Sequence, residues 1–228
     1  MSELISVSCA VCSTTSSQPA GTEISGPKEY DLDLRPRTLT RDPVSEIIQC
    51  CPSCGYCARD ISTEITPEVR EFVTGPEYRS RLTDPALPSS ACRYLCSGLI
   101  AEYGMHLPGA VRSVLHAAWI CDDLQDHKGS VRCRMQAAEL IIRAGSQGIK
   151  IWRDQGLDEL VLSDLFRRAA AFEEATAVIS HTINQGISPE IEEALLFENA
   201  RISHWDTLSY DFSHVLNDEK NKQKEINV

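Results

Sequence analysis

Long hydrophobic runs are absent from this 228-residue sequence, and so is the basic, apolar start of a secretory signal. No stretch approaches the roughly 18 apolar residues of a membrane-spanning helix, which argues against a membrane protein. Positive charge is also scarce, because 22 Lys and Arg residues face 33 Asp and Glu residues, for a net charge of −11. This acidic balance disfavours nucleic acid and anionic membranes as partners. We therefore expect a cytoplasmic protein.

Sequence motifs of the common enzyme classes are also missing. The chain contains no glycine-rich phosphate-binding pattern, no His-Glu-x-x-His and no Gly-x-Ser-x-Gly. Its histidines are scattered and form no metal-binding pair; they are His106, His116, His127, His181, His204 and His214. These absences favour a non-enzymatic protein. The alternative is a thiol-redox or zinc-dependent enzyme that uses its Cys-x-x-Cys motifs.

The sequence is rich in cysteine. There are ten cysteines, and six of them precede residue 60. Without an export signal these thiols are expected to stay reduced, and paired cysteines in a reducing compartment point to metal binding or catalysis. The later four lie in helical sequence and are interpreted as small apolar core residues; they are Cys92, Cys96, Cys121 and Cys133.

Two Cys-x-x-Cys pairs can together supply four thiolates to one tetrahedral zinc ion. In the second pair, Pro52 fixes φ and Gly55 permits a positive φ just after the second cysteine, as in the knuckle of a zinc ribbon. The first pair has neither residue. We predict a structural Zn²⁺ site whose ligands are Cys9, Cys12, Cys51 and Cys54.

The second pair can be read in another register, because Cys54 and Cys57 also have the Cys-x-x-Cys spacing. We prefer Cys51 and Cys54, since only that register places Pro and Gly at the usual knuckle positions; Cys50 and Cys57 then lie outside the site. Redox catalysis is the rival interpretation. It requires a Cys-x-x-Cys that opens a helix, and a β-ribbon does not provide that setting.

The periodicity predicts an α+β, mainly α fold, in which a small N-terminal β zinc ribbon precedes an antiparallel helical array. Residues 30–35 and 44–49 read as strands, and residues 16–26 read as a loop. Helices are predicted over residues 67–73, 77–82, 89–105, 131–151, 158–170, 172–184 and 189–211, and a further helix begins at residue 108 and includes residue 119.

These elements suggest four segments. Residues 1–60 form a zinc-ribbon-like domain, residues 61–88 form short helices and a connector, residues 89–214 form the helical domain, and residues 215–228 form a disordered tail. Successive helices with short connections are typical of antiparallel stacks, which leave one surface free for a protein or peptide partner.

One helical connection resembles the turn of a tetratricopeptide repeat. Ala170 ends the first helix of this turn, Phe172 follows two residues later, and Ala175 lies three residues after that. Glycine is commoner than alanine at the position of Ala170. We therefore describe the predicted helical domain as tetratricopeptide-like.

The sequence as a whole resembles a bacterial family of uncharacterised proteins, domain-of-unknown-function family 2225. The resemblance is carried by both cysteine pairs and by the string Asp-Leu-Asp-Leu-Arg-Pro at residues 31–36, and extends to residues 117–123 and 167–175. It implies an N-terminal zinc ribbon joined to tetratricopeptide-like helices, with the four knuckle cysteines as zinc ligands. It implies no reaction.

Asp31 and Asp33 would share one face of the predicted strand. Two such carboxylates can serve in acid–base catalysis or hold a divalent cation. We favour an exposed strand face paired with Arg35, Arg37 or Arg41. The three arginines also form a local basic cluster, but the acidic surroundings disfavour nucleic acid as a partner.

Overall fold

The structure is a computed structural model that describes residues 3–20, 29–37 and 48–215. The fold is α+β and mainly α, as predicted: 57% of the described residues are helical, and a small N-terminal antiparallel sheet precedes a helical array. The described residues form two compact units: residues 3–20 and 48–140 belong to the first, and residues 29–37 and 141–215 to the second. This division differs from the predicted segments, since it falls near residue 140 and assigns residues 29–37 to the second unit. The predicted tail after residue 215 lies outside the described residues.

Two short β-hairpins form the strand structure of the first unit. β1 (Leu4–Ser8) pairs with β2 (Thr15–Pro19), and β3 (Gln49–Cys50) pairs with β4 (Cys57–Ala58), both antiparallel. The loop predicted from residue 16 is therefore wrong for the residues that belong to β2. Of the strand predicted at residues 44–49, the last residue lies in β3 and residues 44–47 lie outside the described residues.

Eight α-helices have both ends within the described part of the chain. They are α1 (Pro67–Thr74), α2 (Pro76–Leu82), α3 (Ser89–Tyr103), α4 (Leu107–Asp123), α5 (His127–Ser146), α6 (Leu157–Arg168), α7 (Phe172–Thr182) and α8 (Pro189–Ile202). Two of them begin as their sequences predict: the Thr66 and Ser188 hydroxyls accept hydrogen bonds from the amides of Val69 and Ile191, and a proline follows each cap. Within the described residues, no helix is both long and apolar enough to cross a bilayer.

Two helices, α5 and α8, end five or more residues earlier than predicted, for the same local reason. After α5, Gly148 takes a φ of 70° and the amide of Ile149 bonds back to the carbonyl of Ala144. After α8, Trp205 takes a φ of 56° and the amide of Asp206 bonds back to the carbonyl of Arg201. A left-handed residue with such a returning bond closes a helix, so neither can continue to the predicted end.

The core of the second unit lies between α6, α7, α8 and the segment of residues 29–37. Leu32 is fully buried there beside Leu160, Ile179 and Leu195. The strand predicted over residues 30–35 is wrong: Leu34 has a φ of 63°, and the segment makes only isolated β-bridges, from Tyr30 to Pro36 and from Asp31 to Asp211. The alternating leucines reflect a turn that inserts one apolar side chain into the core.

Candidate metal centre

The first knuckle is the loop between β1 and β2. The amide of Cys9 donates to the carbonyl of Thr14, and the amide of Ser13 donates to the carbonyl of Cys9. Ser13 has a φ of 61°, in the left-handed region that glycine adopts most easily. This loop therefore forms a knuckle without the glycine that would have marked it in the sequence.

The second knuckle, between β3 and β4, repeats this backbone pattern. The amide of Cys51 donates to the carbonyl of Tyr56, the amide of Gly55 donates to the carbonyl of Cys51, and Gly55 has a φ of 70°. A Cβ added to Gly55 would lie 2.4 Å from the side chain of Leu82. Glycine is favoured here by the left-handed backbone, and any larger residue would also displace the side chain of Leu82, in agreement with the position that the sequence indicated.

The two knuckles bring together the four cysteines that the sequence singled out. Their Sγ atoms all lie within 4.8 Å of one another, with Cys9 and Cys54 at 3.6 Å and Cys12 and Cys51 at 3.5 Å. Four sulfurs at 2.3 Å from a tetrahedral ion would be about 3.8 Å apart. The cluster could therefore hold a metal ion with little movement, and four sulfurs would complete its coordination shell.

The environment of the cluster is asymmetric. Cys9, Cys51 and Cys54 are buried, whereas Cys12 is exposed. Burial raises the pKa of Cys9, although the backbone amides of Cys12 and Val11 oppose that shift. The hydrogen bond with the Thr14 hydroxyl lowers the pKa of Cys12 to about 6. One exposed thiol of the cluster is thus already disposed to be a thiolate at neutral pH, the form that binds metals.

Side chains outside the motifs hold the two hairpins against each other. The amide group of Gln18 bonds to both the backbone carbonyl and the backbone amide of Cys50, at 3.0 and 3.1 Å. Gln49 links the carbonyl of Pro19 to the amide of Ile61, at 3.0 Å each. Sequence reasoning missed both glutamines, because Gln18 lies in the predicted loop and Gln49 is the last residue of a predicted strand.

Arg70 of α1 reaches back to the first knuckle, where its guanidinium donates to the backbone carbonyls of Ala10 and Val11. The next residue along the knuckle, Cys12, belongs to the cluster. Helix α1, which is distant from the first knuckle in sequence, therefore holds the backbone between Cys9 and Cys12 in place. No local pattern in the sequence pointed to this contact.

The remaining cysteines lie outside the cluster. Cys50 and Cys57 face each other across β3 and β4 and do not join the four sulfurs. The prediction that the later four are core residues is confirmed, since all are buried in helices: Cys92, Cys96, Cys121 and Cys133.

Asp31 and Asp33 are buried in the second unit, so the prediction of an exposed strand face is wrong. Asp31 does pair with Arg37, at 3.0 Å, whereas Asp33 pairs with Arg168 of α6, at 2.7 Å. Burial and the charge of Asp33 raise the pKa of Asp31. Among the described residues these carboxylates form no group of three or more that could hold a metal ion. Arg41 lies outside the described residues.

Comparisons of the chain with protein-family models, with curated proteins and with solved structures found no match. The function is therefore inferred from the geometry of the site and the chemistry of its side chains.

Proposed function

We propose that this chain is a non-enzymatic zinc-binding protein in which Cys9, Cys12, Cys51 and Cys54 ligate one structural Zn²⁺. The observation that carries the proposal is the mutual distance of the four sulfurs, which suits a tetrahedral ion. Catalytic zinc normally keeps one position for water or substrate, with three protein ligands. Four thiolates leave no such position, which favours a structural role.

The energetic need for a metal follows from the size of the hairpin region. β3 and β4 have two residues each, and each sheet has two strands, which is too little to be stable alone in water. Structural zinc supplies on the order of 10–16 kcal/mol of apparent binding free energy, which becomes folding free energy. The ion would thereby hold the two knuckles together.

The first test is the zinc content of the protein and its response to Cys54→Ser. We expect one zinc per chain, its loss in Cys54→Ser, and its retention in the control Cys92→Ser, which alters a buried cysteine of α3 outside the cluster. The variant should lose order in the hairpins while the helical circular dichroism signal stays nearly unchanged. Equal zinc in Cys54→Ser and in the control would contradict the assignment.

Alkylation of Cys12 provides a second, independent test. Its thiol is exposed and its pKa is lowered to about 6 by the hydrogen bond with Thr14, so an unligated Cys12 should react rapidly with iodoacetamide at pH 7. Ligation to zinc should make this labelling slow until a chelator is added. Rapid labelling without chelator, together with reversible oxidation of Cys51 and Cys54, would instead favour the thiol-redox alternative.

We further propose that the helical region is an interaction module for a protein or peptide. In the second unit, Trp205 and Leu208 follow α8 and are 77% and 66% exposed, and the Trp205 ring packs edge-on against Phe172. Large apolar side chains grouped at a surface are typical of interaction sites. Proteins captured by the wild type but not by a Trp205→Ala, Leu208→Ala variant would support this role, and identical captured sets would contradict it.

We also propose that the chain is a member of domain-of-unknown-function family 2225 and that its helical region is tetratricopeptide-like. The support for the second is the α6–α7 connection, where Ala170 has a φ of 59° and Ala175 is fully buried. A left-handed φ explains why glycine is commoner than alanine at such a position.

A further inference from the structure

Cys50 and Cys57 are directly opposite each other on β3 and β4, outside the four-sulfur cluster. Neither backbone amide bonds to the opposite residue: the amide of Cys50 donates to Gln18 and the amide of Cys57 donates to the hydroxyl of Tyr78. The amide of the next residue, Cys51, donates to the carbonyl of Tyr56. Cys50 and Cys57 are therefore a non-hydrogen-bonded pair, the kind whose side chains approach most closely.

The spacing of such a pair suits a disulfide. Residues of a non-hydrogen-bonded pair have Cα atoms about 4.5 Å apart, at the short end of the roughly 4.4–6.8 Å range found for disulfides. Each thiol now hydrogen-bonds to a backbone carbonyl, Cys50 to that of Cys51 at 3.9 Å and Cys57 to that of Gly55 at 3.3 Å. Joining the two sulfurs requires both side chains to rotate from those carbonyls toward each other.

Access distinguishes this pair from a second pair of neighbouring cysteines outside the four-sulfur cluster, Cys121 of α4 and Cys133 of α5. Both of those residues are fully buried. Cys57 is equally buried, whereas Cys50 is partly exposed. A small oxidant in solution can therefore reach the first pair through Cys50 and cannot reach the second without opening the helices.

We propose that Cys50 and Cys57 are a redox modification site that forms a reversible disulfide with hydrogen peroxide. The Cys50 sulfur attacks one peroxide oxygen, the O–O bond breaks, and water leaves with formation of a sulfenic acid. The Cys57 sulfur then displaces the hydroxyl, which leaves as a second water as the S–S bond forms. Two thiols lose two electrons and two protons, and one peroxide is reduced to two waters.

The disulfide would close a loop that contains Cys51 and Cys54. Because the two residues are already paired across the strands, the bond would preserve the second knuckle. We therefore expect oxidation to leave the helical circular dichroism signal unchanged. Neither Cys50 nor Cys57 belongs to the four-sulfur cluster, so the predicted bond is distinguished from oxidation of the cluster by the two residues that it joins.

The test treats the full chain, as isolated, with hydrogen peroxide, removes the peroxide with catalase, and counts free thiols after denaturation with a chelator present. The count should fall by two from the ten of the reduced protein and return with dithiothreitol. Chymotrypsin cuts after Tyr56 and so separates Cys57 from the other cysteines of this region. The two pieces should remain joined in the oxidised protein, whereas a bond between Cys51 and Cys54 would stay within one piece.

Three variants complete the test. Cys50→Ser and, separately, Cys57→Ser should abolish the loss of two thiols, and the control Cys121→Ala should retain it, because that change removes a buried cysteine outside both this pair and the cluster. The inference is overturned if the wild type loses no pair of thiols, if the chymotryptic pieces separate, or if Cys50→Ser still forms a bond to Cys57. Zinc content, measured on the same samples, reports separately on the proposed metal site.

Discussion

Four cysteines meet between the hairpins of the first unit, whereas an arginine and two carboxylates meet between α6 and α8 of the second. In the second unit, Arg167 donates to Glu198 at 2.5 Å and to Asp164 at 2.8 Å, and all three side chains are almost fully buried. This ionic cluster contains its own cation, while the cysteine cluster would receive its cation from solution. The first region should therefore respond to chelators and oxidants, and the second to protonation.

The largest expected effect that separates the two regions is that of Arg167→Ala in the second unit. Removing the guanidinium leaves the buried side chains of Asp164 and Glu198 without their shared partner, and breaking a buried ion pair in this way costs about 3–5 kcal/mol. We expect faster hydrogen exchange in α6 and α8, measured by mass spectrometry, with unchanged zinc content. The control Arg153→Ala removes an exposed arginine of the same unit and should have little effect. Loss of zinc in Arg167→Ala would show that the two regions do not respond separately.

The pH dependence of unfolding should also distinguish the ionic cluster of the second unit from the cysteine cluster of the first. Burial and the charge of Asp164 raise the pKa of Glu198 to about 8 from 4.5. The folded state thus holds this proton more tightly than the unfolded state. Its stabilising contribution is full below pH 4.5 and disappears as the pH rises through about 8, with a size on the order of a few kcal/mol.

Urea unfolding of the wild type and of Glu198→Gln between pH 4.5 and 8.5 measures this contribution. Because glutamine has no proton to lose in this range, the difference in unfolding free energy should shift in favour of the variant as the pH rises. A difference that is constant with pH would mean that Glu198 does not change its protonation state on folding.

The smallest expected effects come from substitutions at the left-handed position of each knuckle. Gly55→Ser puts a side chain at a φ of 70° and against Leu82, and the backbone conformation alone costs about 1–2 kcal/mol. Ser13→Gly makes the reverse change in the first knuckle, at a φ of 61°, and should stabilise by less than about 1 kcal/mol. Competition for zinc with a chromogenic chelator should show weaker binding in the first variant only. Equal affinities would contradict the stated role of the left-handed position.

The sequence predicted the parts of this molecule that depend on near neighbours. A Cys-x-x-Cys pair forms its knuckle by bonds between residues four and five apart, and the starts of α1 and α8 follow from a hydroxyl and a proline in adjacent positions. For these elements the local sequence contains most of the physical information. Their positions were predicted closely.

The parts that the sequence missed depend on partners far away in the chain. Leu32 and Leu34 alternate with aspartates as in a strand, yet their segment is shaped by α6 and by the backbone carbonyl of Tyr210. The pairing of Cys50 with Cys57 depends on distant side chains. The backbone amide of Cys50 donates to Gln18, and the backbone amide of Cys57 donates to the hydroxyl of Tyr78. No spacing rule within the segment contains that information.

X-ray absorption at the zinc edge tests the central claim most directly, because it reports which atoms surround the metal in the purified protein. The account predicts four sulfur neighbours at about 2.3 Å in the wild type, and loss of this signal in Cys54→Ser. A shell that includes nitrogen or oxygen, or the absence of zinc from protein purified without chelator, would contradict it.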